Sequence, residues 1–117
     1  MRPSVRPSLA SLLLASAAFA VLSCSDSTAP NQATVQVRDN TFDPATATIQ
    51  AGGTVTWQWA GQAQHNVTWV NPSGTSDSPT QATGTYTRNF SGAGTYDYFC
   101  TVHGTATSGM RGSVVVQ

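Results

Sequence analysis

The sequence predicts an all-β fold, a Greek-key sandwich of about seven to eight short strands, and three observations carry that expectation. Apolar and polar residues alternate in segment after segment. The 117-residue chain contains neither Lys nor Glu and is rich in Thr, Ser, Gln and Gly, which favours strands and turns over helices. Beyond residue 33, no apolar stripe of 3.6-residue period persists over the ~10 positions a helix needs.

The strands run in order along the chain. Val35 and Val37 mark the first, Ala47 and Ile49 the next, and Val55, Trp57 and Trp59 a third; Asp43-Pro44 and Gly52-Gly53 punctuate them. His65 opens a strand that continues through Val67 and Trp69, and Asn71-Pro72 starts a polar loop to about Thr83. Tyr86 and Phe90 come next, then a Gly92-Gly94 turn, a strand through Tyr96 and Tyr98 to Cys100, and a last strand at Val114 to Val116. The domain therefore covers residues 34–117, large enough for one core, to which three tryptophans would contribute much of the apolar area.

Composition narrows the function. Charged residues are only 9% of the chain, which excludes a basic nucleic-acid binder and an acidic disordered tail. From residue 24 onward three arginines stand against five aspartates, a net charge of −2 that steers partners weakly.

The N-terminus reads as an export address. Arg2 and Arg6 precede an apolar run from Leu9 to Leu22 that is too short for a membrane span. Val21-Leu22-Ser23-Cys24 resembles the lipobox of bacterial lipoproteins, which implies a signal peptide over 1–23, a lipid on Cys24 as the sole membrane attachment, and a tether over 24–33. Cys100 is then a lone thiol in an oxidising compartment, and a lone thiol there calls for a metal or for burial.

Strand parity gives that thiol a direction. Tyr96, Tyr98 and Cys100 share one face, so inward tyrosines carry the sulfur inward, while Asp97 and Phe99 face out. His103 lies at a C-x2-H spacing that one tight turn can close onto a single ion, and Met110 comes seven residues later, just before the chain re-enters the sheet at Gly112. With His65 facing inward from its own strand, two imidazoles, a thiolate and a long axial thioether form a set suited to copper. Calcium and magnesium want oxygen donors, and a methionine ligand is unusual for zinc.

These residues also carry a family resemblance. Phe42-Asp43-Pro44 through Trp59, the triplet His65-Asn66-Val67, and Gly94-Thr95-Tyr96-Asp97-Tyr98-Phe99-Cys100-Thr101-Val102-His103 resemble the plastocyanin and pseudoazurin branch of the cupredoxins over essentially the whole domain. The resemblance implies one type 1 copper per chain, with His65, Cys100 and His103 equatorial and Met110 axial. It implies that Asn66 ties the two ligand segments together near Thr101. The interval from His103 to Met110 is longer than is usual in that branch.

The function this implies is that of an electron carrier and not an enzyme: a monomer on the periplasmic or cell-surface side of a bacterial membrane, docking redox proteins near His103 with weak salt dependence. Copper oxidases and nitrite reductases built on the same sandwich need further histidines, and this chain has two. The alternatives are a copper carrier or buffer, which a chain with two methionines suits poorly, and an accessory electron-donor module of a copper enzyme.

Overall fold

A computed structural model describes residues 28–72 and 75–117, so the expected signal peptide and Cys24 lie outside the described residues. Among the described residues, eight strands form two four-stranded sheets, as an all-β sandwich requires. In chain order they are β1 (Gln32–Arg38), β2 (Thr41–Asp43), β3 (Thr46–Ile49), β4 (Gly53–Trp59), β5 (Thr68–Trp69), β6 (Thr85–Phe90), β7 (Gly94–Gly104) and β8 (Gly109–Val116). One sheet has the order β2-β1-β4-β6 and the other β3-β8-β7-β5.

Both sheets are mixed. β1 runs parallel to β4 with Val35 opposite Trp57, and β3 runs parallel to β8 with Ile49 opposite Val116, so each parallel pair joins strands distant in sequence. The hairpin of β7 and β8 is antiparallel, with Tyr98 opposite Gly112.

The alternation read from the sequence is the alternation of burial. Val35, Val37, Ile49, Val55, Trp57, Val67, Tyr98, Cys100 and Val114 are fully enclosed between the sheets. Aromatic rings fill the middle of this core: Trp57 meets Trp69 and Tyr98 edge-on, with centroids 5.6 and 5.4 Å away, and Phe42 meets Tyr98 at 4.7 Å. Such edge contacts add about 0.5–1.5 kcal/mol each beyond area burial. Gly112 is where the Tyr98 ring approaches the neighbouring strand; a Cβ there would overlap the ring.

Three local expectations change. His65 does not open a strand: β5 is only Thr68–Trp69, and His65 is held by an isolated bridge to Gln81, its N–H donating to Gln81 O at 3.0 Å and its C=O accepting the Gln81 N–H at 3.0 Å. The polar loop thus folds back and pairs instead of hanging free. No tight turn comes after Cys100, because β7 continues to Gly104 with a register irregularity between Phe99 and Gly104 that re-aims the side chains. Finally, β8 begins at Gly109, ahead of Gly112, so Met110 is already within the sheet.

Candidate metal centre

Three donors meet where β7 ends and the His65 bridge lies against it. His65 Nδ1 and His103 Nδ1 face each other at 3.0 Å, and Cys100 Sγ is 3.8 Å from each. A circle through these atoms has a radius of about 2.1 Å, close to the ~2.0–2.3 Å bonds that imidazole and thiolate make to a metal such as zinc. Two imidazole nitrogens and a thiol sulfur at this spacing form a donor set that fits a soft metal ion. His65 and Cys100 are fully buried and His103 is half-buried, which leaves one edge of the cluster near solvent.

Met110 is buried in the core cluster that also contains Cys100. The long interval after His103 is taken up by a self-bonded turn. Thr105 N–H donates to Ser108 O at 2.8 Å, and the Thr105 hydroxyl accepts the N–H groups of Thr107 and Ser108 at 3.3 and 3.2 Å. Gly104 pairs with Gly109, whose φ of 81° lies in the left-handed region that glycine tolerates without strain. Met110 follows directly, its backbone beside Gly104 and its side chain buried in the same core as Cys100.

The backbone around the donors is braced. Asn66 Oδ1 accepts the Thr101 N–H at 2.9 Å, and its Nδ2 donates to Thr101 Oγ1 at 2.6 Å and to Thr80 Oγ1 at 2.9 Å. Trp59 Nε1 donates to His65 O at 3.1 Å, so this tryptophan pins a donor residue as well as filling core.

One contact was invisible in the sequence. The ring of His65 presents Nε2 to Asp39 Oδ1 at 3.0 Å, across a separation of 26 residues. Asp39 sits in the two-residue turn from β1 to β2, and its carboxylate also accepts the backbone N–H groups of Gln62 and Ala63 at 2.9–3.1 Å. The hydrogen bond from His65 first, then those from Ala63 and Gln62, hold its carboxyl down to about 2. An Asp-Asn pair between strands reads as a turn and nothing more; no signal in the sequence ties it to His65. Gln81 and Thr80 were likewise hidden in what read as a loop.

Residues 30–117 match the family described as copper binding proteins, plastocyanin/azurin family. Among curated relatives, a chloroplastic plastocyanin of Tetradesmus obliquus is 42% identical over 86 residues, covering 65% of this chain and 58% of that protein. A plastocyanin of Scenedesmus fuscus is 38% identical over 86 residues, covering 65% of this chain and 86% of its own length. Among solved structures, a reduced amicyanin variant superposes with a TM-score of 0.62 at 32% identity, covering 74% of this chain and 82% of that one. A purple cupredoxin from Nitrosopumilus maritimus gives a TM-score of 0.60 at 25% identity, covering 73% and 99%. The chain spans little more than half the length of the Tetradesmus obliquus protein it matches.

Proposed function

Because the chain belongs to the plastocyanin/azurin family of copper-binding proteins, we propose that it shuttles single electrons between redox partners outside the cytoplasm. Copper is the family's cofactor. In this reading His65 Nδ1, Cys100 Sγ and His103 Nδ1 would hold one copper ion, and Met110 would offer a thioether as a further donor. The single observation that carries it is the convergence of those three atoms within 3.8 Å of one another from segments 35 residues apart.

The copper supplies a site that gains and loses one electron; the chain keeps its donors still while that happens. His65 is fixed by the Gln81 bridge and the Trp59 indole, and Cys100 by the Asn66 clasp on Thr101. A donor set that moves little between oxidation states has little to reorganise, so transfer is fast. Partners would dock near His103, the donor nearest solvent, beside Val102, which is 52% exposed. Residues 1–23 and Cys24 supply the lipoprotein-type signal and anchor in this proposal, placing the domain at a bacterial membrane surface.

A copper nitrite reductase from Thermus scotoductus shares the fold, with a TM-score of 0.58 at 23% identity, but this chain covers 22% of it. Both histidines of the sequence already lie in the cluster, which supports a carrier over a self-contained enzyme. The test is to add Cu(II) to the purified domain. An intense visible absorption from thiolate-to-copper charge transfer, bleached by reduction and absent in Cys100→Ser, is the expected result. A wild-type domain that stays colourless refutes the proposal.

A further inference from the structure

We infer that Asp39 is a positioning residue for the copper centre: its carboxylate holds the His65 ring with the proton on Nε2 and Nδ1 bare, and its negative charge favours the oxidised ion.

The argument starts from hydrogen-bond chemistry. An ionised carboxylate only accepts, so in the 3.0 Å contact between His65 Nε2 and Asp39 Oδ1 the ring nitrogen is the donor. A neutral imidazole carries one proton, and with that proton on Nε2 the lone pair sits on Nδ1. Nδ1 is the atom that faces Cys100 Sγ and His103 Nδ1. The contact therefore selects the tautomer that the metal site requires, with the ring itself fully buried and fixed in place.

The carboxylate is itself held. Gln62 and Ala63 donate their backbone N–H groups to it, and Asn40, at a φ of 65°, closes the turn that presents it. Gly61 completes the seat: a Cβ at that position would collide with Asp39 Oδ1, so only glycine lets the carboxylate lie against this segment. Four residues from two separate segments thus converge on placing one acceptor behind His65.

A neutral acceptor would orient the ring equally well. A carboxylate adds a full negative charge one imidazole away from the metal, and Cu(II) carries one more positive charge than Cu(I). The charge consequently stabilises the oxidised ion more and lowers the reduction potential.

The inference rests on the copper-site reading above, and the experiment separates the two. Asp39→Asn keeps an acceptor of the same shape and removes the charge. The expected result is a blue variant that binds Cu(II) about tenfold less tightly relative to Cu(I), which is a rise of about 59 mV in midpoint potential for a one-electron couple. Asp39→Ala should raise the potential as well and leave His65 in a mixture of tautomers. In the copper-free wild type, nitrogen-15 NMR should find His65 protonated at Nε2. A proton on Nδ1 there overturns the inference without any variant. A blue wild type and a blue Asp39→Asn protein with equal potentials overturn this inference alone, whereas a wild type that takes no copper overturns both readings.

Discussion

Asn66 grips Thr101 at both ends of its side-chain amide, accepting the backbone N–H at 2.9 Å and donating to the hydroxyl at 2.6 Å. The two residues are 35 positions apart and each adjoins a metal donor, His65 on one side and Cys100 on the other. The clasp sets the spacing of the donors before any ion arrives.

Removing that clasp should cost stability even without copper. Asn66→Ala deletes two bonds with Thr101, one to Thr80 and one from Thr68, and at the lower bound of roughly 0.5 kcal/mol each the loss is about 2 kcal/mol. For a domain of this size that lowers Tm by roughly 8–16 °C. Thermal melts of the copper-free proteins measure it; a Tm unchanged within error contradicts the bracing role.

Met110→Leu tests the axial position. The swap conserves volume, so the fold should lose less than about 1.5 kcal/mol. Taking a thioether donor from the metal leaves Cu(II) less stabilised, so the midpoint potential should rise while the blue absorption persists. Voltammetry of the two proteins decides: identical potentials mean that Met110 serves the core alone.

Gly112 should not accept a side chain. The Cβ of Gly112→Ala would overlap the Tyr98 ring and hydroxyl, and overpacking of this kind costs about 1–3 kcal/mol. Tyr98→Phe in the same background removes the hydroxyl and should recover part of the loss. Denaturant titration of the single and double variants checks both statements, and a Gly112→Ala protein as stable as the wild type would contradict them.

Cys24 gives a prediction about attachment. In a bacterial host fed labelled palmitate, the full chain should take up the label and fractionate with membranes, and Cys24→Ser should do neither. An unlabelled wild-type chain in the soluble fraction rules out the anchor.

The sequence made the fold legible wherever burial has a period. Trp57 and Trp59 share a face because a strand's side chains alternate, and no other fact was needed to place them inward. His65, Cys100 and His103 were legible for a different reason: few residue types bind soft metals, and two short motifs held nearly all of them. What stayed hidden was pairing between distant stretches. Asp39 reaches His65 through a turn that depends on how β1 meets β2, and His65 leans on Gln81 from a segment with no apolar rhythm at all. The pairing of Gly104 with Gly109, which starts β8 ahead of Met110, depends on hydrogen bonds inside the short turn between them, which composition does not encode.

The parallel pairing of β3 with β8 bears on when this molecule can become itself. Thr46 lies beside Ser113 and Ile49 beside Val116, so an early segment waits for a strand far along the chain before its edge is closed. Contacts of such long reach make folding slow and late. Until β8 has formed, the edge of β3 stays unpaired and the sandwich stays open.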